Sequence, residues 1–321
     1  MVDKNFMTIT IIMPNYNGVH LLEKNLPHVV AAAKHFTKGE IDIVISDDHS
    51  IDNSLAFLES FSKSEKTISI YITSNKGLQG FSCNVNNAVR HAKGDILLLL
   101  NTDVIPERDF IAPLVEGFSD EKVFAIGCLD ETTDDEGKPR KYGRSFGSWK
   151  RGFVVHESAD AEASDKTFWV SCGSGAFRRD LWEKLHGLDE LYNPFYWEDI
   201  DLSYRAVKSG YTIRFEKKSV VTHLHEVGAI KKNFSSNKVT TTAYRNQIIF
   251  IWKNITDSDL ILKNILWLPY YVVKTLLSGD TNFVAGLFAA ILLLPKIRKS
   301  KLTAMHTFVL SDKVVLNKQK I

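Results

Sequence analysis

The first hundred residues alternate short apolar, β-branched runs with segments of helical spacing, and polar turn-forming residues close each run. Thr8–Met13 stops at Pro14-Asn15-Tyr16-Asn17-Gly18, and Ile41–Ile45 stops at Ser46-Asp47-Asp48. Ile68–Ile72 precedes Asn75–Gly77, and Asp95–Leu100 runs into Asn101-Thr102-Asp103. Leu21–Phe36, Ser54–Ser62 and Phe81–His91 have helical spacing between them. This alternation predicts crossover units, and hence an α/β fold built on a doubly wound, mostly parallel sheet of Rossmann-like type. Ligands of such sheets bind at the carboxyl ends of the strands. The polar clusters are therefore expected to line one edge together.

Composition narrows the function classes. The chain has 321 residues, enough for one large α/β domain or two smaller units. A net charge of +2 gives no global case for a nucleic-acid partner. Cys83, Cys128 and Cys172 lack metal spacing and read as reduced thiols. Met1 to Phe6 lacks the apolar core of a signal peptide, so a cytoplasmic location is expected. No Gly-x-Gly-x-x-Gly fingerprint follows the first strand and no Walker loop occurs, which argues against a dinucleotide oxidoreductase and a P-loop NTPase. Pro14–Gly18 also lacks the basic, Gly-rich triphosphate loop of a nucleotidyltransferase.

Further along, Thr132–Lys141 reads as an exposed loop and Ser158–Lys166 as a mobile polar loop, either a lid or a linker. Helices are expected over Arg179–His186 and Asp199–Ser209, the second stopped by Gly210. Short strands are expected over Tyr211–Phe215 and Ser219–Thr222, the latter leading into His223-Leu224-His225. The character changes near Thr241, so the domain reading is 1–240, in halves 1–105 and 106–240, followed by a helical extension over 241–321. No apolar run in that extension reaches the ~20 residues of a membrane-spanning helix. Its amphipathic segments end beside Lys296, Arg298, Lys299 and Lys301. That pattern suits peripheral attachment to a membrane surface, with packing on the domain or oligomer formation as the alternative.

Two motifs carry chemistry. Phe195-Tyr-Trp-Glu-Asp-Ile-Asp-Leu202 puts Glu198, Asp199 and Asp201 within four positions, followed by Arg205. Neighbouring carboxylates raise one another's pKa unless a cation compensates, and a raised carboxylate makes a general base for a hydroxyl. A solvated acidic helix start is the plainer alternative. The buried run Leu97–Leu100 delivers Asn101 and Asp103 to a strand end, a mount for Mg²⁺ or Mn²⁺ shared with a diphosphate; a capping turn is the alternative. Asp47, Asp48, Ser50 and Asp52 follow the second strand, where a carboxylate can take a nucleotide's base or ribose; an Asx turn starting a helix is the alternative. His223 or His225 could add an imidazole ligand.

These residues together resemble family 2 glycosyltransferases with the GT-A fold, in particular the bacterial rhamnosyltransferase-like branch. The match runs in order through Ile11–Gly18, Ile45–Ser54, Asn75–Gly77, Ala92–Asp103, Gly173–Arg179, Gly187–Glu190, Trp197–Arg205 and Gly210-Tyr211. The resemblance implies that Pro14, Asn15 and Tyr16 cradle the donor's base and that Asp47, with Asp48, contacts base or ribose. Asn75, Gly77, Asn101 and Gly173 complete the donor set. Asp103 and His223 would hold the metal. Asp199 would be the base, with Glu198 and Asp201 holding or tuning it. The chain departs from the pattern at Asn101, which replaces an Asp, at His186, where glycine is frequent, and in the spacing that leads to Asn86. The implied reaction is inverting transfer from a nucleotide-diphosphate sugar, dTDP-rhamnose or a UDP-sugar, to a hydroxyl of a lipid-linked or polysaccharide acceptor at the inner membrane face. A catalytically silent sugar-nucleotide binder or membrane assembly subunit is the alternative.

Overall fold

A computed structural model of the chain describes residues 7–133, 138–223 and 233–317. The alternating segments form β1 (Ile9–Asn15), α1 (Val19–His35), β2 (Ile41–Asp47), α2 (Ser54–Ser64), β3 (Ser69–Ser74), α3 (Phe81–Val89) and β4 (Ile96–Leu100). Then come β5 (Val104–Pro106), α4 (Ile111–Glu116), β6 (Val123–Thr133), β7 (Pro139–Tyr142), β8 (Ser145–Lys150), β9 (Phe153–Ser158), β10 (Ser174–Arg178) and α5 (Arg179–Lys184). The remainder is α6 (Glu198–Lys208), β11 (Thr212–His223), α7 (Ser236–Asn254), α8 (Ser258–Leu277), α9 (Asn282–Leu292), α10 (Leu294–Met305) and α11 (Asp312–Asn317).

The main sheet has the order β3-β2-β1-β4-β10-β6-β11-β5, with β7 paired to β6. Its first half is parallel, as expected. β10 then enters antiparallel between β4 and β6, with Ser174 opposite Leu100. Strand residues alternate between two cores, as a sheet covered on both faces requires. Ile11 and Met13 of β1, with Leu98 of β4, face α1, α2 and α4. Ile12, Leu97 and Leu99 face α3, α5 and α6. The second core also takes in Ile248 to Ile251 of α7, so the expected boundary at residue 240 falls inside a helix whose buried face belongs to this core.

Other segments differ from the sequence reading. The stretch from Thr132 to Lys141, read as a loop, contributes β7, which pairs antiparallel with β6; its central residues, 134–137, lie outside the described part. The two short strands expected between 211 and 222 are one strand, β11, whose register against β6 shifts between Glu216 and Val220. α8 is 20 residues long and apolar enough to cross a membrane by length and composition. This corrects the expectation that no run reaches that length: Lys263, Pro269 and Lys274 interrupt the apolar run without breaking the helix.

Candidate active site

The carboxyl ends of β3, β2, β1 and β4 lie side by side, and polar residues at or following the ends of the first three bond to one another. Asn15 and Asp47 are both buried, and Asn15 Nδ2 donates to Asp47 Oδ1 at 2.8 Å. The Ser50 amide donates to the other Asp47 oxygen at 2.9 Å. Asp48 accepts from Asn75 Nδ2 at 2.7 Å and from the Gly80 amide at 2.9 Å. Burial still raises its pKa above the ordinary carboxylate value, outweighing those bonds. The Gly77 amide donates to Asn75 Oδ1 at 2.9 Å, closing the turn. Pro14 is buried in β1 and Tyr16 is half-buried just beyond it.

Asn101 ends β4. Its amide donates to the Gly173 carbonyl at 2.9 Å, and its Oδ1 is buried without a hydrogen-bond partner. Gly173 has no room for a side chain: a Cβ there would come within 2.6 Å of Asn101 Nδ2. Two residues on, Asp103 Oδ1 lies 3.3 Å from His223 Nε2. The pairing of β5 with β11 sets this contact, because His223 is opposite Val104 in the ladder. His223 Nδ1 lies 3.0 Å from Asp130 Oδ2. Burial opposes a charged imidazole here, but the two carboxylates prevail and push His223 up to about 9. Among the described residues no group of three or more His, Cys, Asp or Glu side chains forms a metal cage. His225 lies outside the described residues.

The acidic run opens α6. Tyr196 and Trp197 both have positive φ, 73° and 76°, an uncommon backbone state for bulky residues. The chain then turns into the helix at Glu198. Glu198 is buried and its Oε2 lacks a partner. Burial, reinforced by the neighbouring Asp199 charge, raises its pKa. Burial also raises Asp199, opposed by the amides of Ile200, at 2.8 Å, and Cys172. Asp201 behaves in the opposite way. It accepts from Tyr192 Oη at 2.8 Å, Arg205 Nε at 2.7 Å, Lys253 Nζ at 2.8 Å and Asn254 Nδ2 at 2.7 Å. Burial alone would raise it, but Arg205 and Lys253 together hold it below the usual carboxylate range.

These parts are contiguous. The Cys172 amide lies close enough to Asp199 to oppose the rise in its pKa, and the next residue, Gly173, accepts from Asn101. Gly18 packs between Asn15 and Thr102, where a Cβ would meet Asn15 Oδ1 at 2.5 Å. The Phe81 amide donates to the Pro194 carbonyl at 2.9 Å, so the loop before the acid pair rests on the turn that serves Asp48. Asp47, Asn101 and Asp199, far apart in sequence, are thus joined through a short series of touching residues. A family model for glycosyl transferase family 2 matches residues 10–185.

The chain belongs to glycosyl transferase family 2, and it is a glycosyltransferase. It is 26% identical over 222 residues to the O-antigen chain rhamnosyltransferase RfbN of Salmonella typhimurium, covering 68% of this chain and 67% of that one. It is 23% identical over 239 residues to a Campylobacter jejuni GalNAc(5)-diNAcBac-PP-undecaprenol β-1,3-glucosyltransferase, covering 74% and 69%. Among solved structures, Staphylococcus aureus TarS with UDP-GlcNAc superposes with a TM-score of 0.58 at 14% identity, covering 98% of this chain and 92% of that one. The mannosyltransferase PcManGT of Pyrobaculum calidifontis, solved with GDP-Man and Mn²⁺, gives 0.56 at 16% identity, covering 95% and 86%. The architecture is therefore the GT-A glycosyltransferase fold expected from the sequence.

The family 2 match ends before the acid pair and His223, which the fold brings back to the matched strands. Sequence reasoning did not find Asn84 or Asp130. Asn84 Nδ2 donates to the Ser46 carbonyl at 3.0 Å and the Asn15 carbonyl at 3.3 Å. Asn84 and Asn87 are buried one turn apart on α3, and buried asparagines at helical spacing were the signal available. Asn86 bonds instead to Leu188, donating to its carbonyl at 2.8 Å and accepting from its amide at 3.1 Å.

Proposed function

We propose that this glycosyltransferase moves a sugar from a nucleotide-diphosphate donor, dTDP-rhamnose or a UDP-sugar, to a hydroxyl of a lipid-linked or cell-surface polysaccharide acceptor, with inversion. The observation that carries this reading is the pair Cys172-Gly173: the Cys172 amide lies close enough to Asp199 to oppose the rise in its pKa, and the Gly173 carbonyl accepts from the Asn101 amide. The donor's nucleoside lies against Pro14, Asn15, Tyr16, Asp47 and Asp48, with Asn75 and Gly77 shaping that end. Its diphosphate reaches Asn101, Gly173 and Asp103. Asp199 takes the proton of the acceptor hydroxyl. The freed oxygen bonds to the anomeric carbon as the bond from that carbon to the phosphate oxygen breaks, and the nucleoside diphosphate leaves. Base catalysis of this kind contributes roughly 10²–10⁴ in rate. Glu198, buried beside Asp199, keeps its proton through the range in which Asp199 loses one, and Asp201 anchors the helix that carries both.

Asp103, the orphan oxygen of Asn101 and the imidazole of His223, once a cation displaces the proton it directs at Asp103, fit Mg²⁺ or Mn²⁺. They supply too few groups for an all-protein cage, which suits a cation shared with substrate phosphates. Asp130 on His223 Nδ1 is the kind of partner that orients a ligating imidazole. Such a cation would offset charge on the departing diphosphate. Purified protein would be screened by thermal shift against dTDP-, UDP- and GDP-sugars, with Mn²⁺ and with chelator. A preferred nucleotide should raise the melting temperature by mass action, and Asp103→Ala should remove the metal-dependent part. No shift with any donor would refute the reading.

The enzyme works at the cytoplasmic membrane face, held there by α8 and α9. Their outward sides expose Leu266, Leu277, Phe288 and Leu292, each more than half accessible. Lys263 and Lys274 of α8 and Lys296, Arg298 and Lys299 of α10 are also exposed, a complement of cations that suits an anionic bilayer. The inner side of α8 is fixed to the domain. Asn264 is buried, donates to the Gly152 carbonyl at 2.8 Å and accepts from Trp252 Nε1 at 3.1 Å. Tyr271 meets Phe153 edge-on at 5.2 Å. A helix tethered along one side supports in-plane seating over crossing.

A further inference from the structure

We infer that Asn246 of α7 is a positioning residue for the acid pair. The inference rests on the reading of Glu198 and Asp199 given above. Asn246 is fully buried, and its Nδ2 donates to the carbonyls of Tyr192 at 2.7 Å, Phe195 at 2.8 Å and Tyr196 at 2.9 Å. An amide nitrogen has two hydrogens, so three carbonyls converge on all it can give. Arg245 Nε donates to Asn246 Oδ1 at 2.8 Å, which turns the NH₂ toward the loop. Arg245 Nη2 also bonds to the Asn193 carbonyl.

The clamped carbonyls belong to the segment that turns the chain into α6. Tyr196 and Trp197, at positive φ, aim Glu198 and Asp199. Such backbone states are uncommon for bulky residues and persist only where surroundings over-determine them. α7 supplies that determination along one stripe at i, i+4, i+7 and i+8. Asn246 holds the loop. Phe250 lies 5.2 Å from the Trp197 ring. Lys253 and Asn254 grip Asp201 from the other side. The start of α6 is therefore held at both ends by one helix that lies outside the family match.

The test compares Asn246→Leu, which keeps volume and removes the donors, with Asn246→Ser, which keeps one donor. Ile249→Ala, a buried change on the same helix, controls for loss of stability. Donor affinity is read by thermal shift, and kcat is read across pH. Asn246→Leu should lower kcat roughly 10–100-fold, as small misplacements of a catalytic group do. Its donor affinity should stay within about twofold and its pH midpoint should move. Asn246→Ser should fall between it and wild type. Ile249→Ala should lower the melting temperature yet keep kcat and the pH midpoint. The inference fails if Asn246→Leu or Asn246→Ser keeps wild-type kcat and pH midpoint, or if kcat follows melting temperature alike in all three variants. Wild-type turnover by Asp199→Asn would instead refute the reading of the acid pair itself.

Discussion

Asp199 and Asp201 share one turn of α6, yet their proton affinities move in opposite directions. Asp199 is raised by burial with only amide hydrogen bonds to oppose it. Asp201 is more deeply enclosed but is lowered by Arg205 and Lys253. One carboxyl is poised to exchange a proton and the other is locked as an anion. Environments that drive like groups apart in this way mark acid–base assignments.

Asp199, pushed up to about 7, should set the pH dependence of the reaction. A general base works only when deprotonated, so kcat/KM should rise with pH through about 7 and level off above it. Titrating initial rates from acid to alkaline buffer at saturating metal checks this. A profile still flat at about pH 5 would take the base role from Asp199.

The same shifts give a stability prediction with a definite sign. Glu198 has a folded pKa above its unfolded one, so its neutral form stabilises the fold below the unfolded value. That contribution is lost as pH rises through the folded value, about 8. Glu198→Gln should therefore melt at least about 2 °C higher than wild type near pH 9 and show no such gain near pH 5. Asp199→Asn should behave similarly in melting while turning over at least about a hundredfold more slowly. Melting curves at both pH values, set beside turnover, separate the two effects.

Lys253 should matter strongly to folding. Its ammonium lies 2.7 Å from Asp189 and 2.8 Å from Asp201, with all three carried on different segments. Removing one partner of a buried ion pair leaves an uncompensated charge, at a cost of about 3–5 kcal/mol. Lys253→Met should lose about that much in urea unfolding near neutral pH. A loss below about 1 kcal/mol would mean that Arg205 alone suffices for Asp201.

The strand ends and the acidic run were legible because their signals are local. A buried apolar run closed by Asn101-Thr102-Asp103, or carboxylates packed before Arg205, can be read without knowing what lies opposite. The roles of Asp130, Asn84 and Asn246 were not legible, because each acts on a partner set by strand register or helix docking. Asp130 reaches His223 only because β6 and β11 run parallel, with Asp130 opposite Val221. The hairpin of β6 and β7 was missed for a related reason. Its exposed, charged strand has the composition of a loop and is defined only by pairing.

The seating of α8 and α9 can be tested without removing them, which would strip partners from the core. Lys208 pairs with Asp312 of α11, and Ser300 of α10 bonds to Asp189, so truncation would confound binding with unfolding. Leu266 and Leu277 face outward, 67% and 84% exposed, and can take a charge without entering the core. Leu266→Glu with Leu277→Glu should leave melting within about 1 kcal/mol of wild type, as exposed substitutions do. It should release the protein from vesicles containing anionic phospholipid, because each buried apolar side chain contributes about 1.5–3 kcal/mol to the interface. Raising salt should weaken wild-type binding as the exposed lysines are screened. Equal co-sedimentation of the double variant and wild type would rule out this face as the membrane seat.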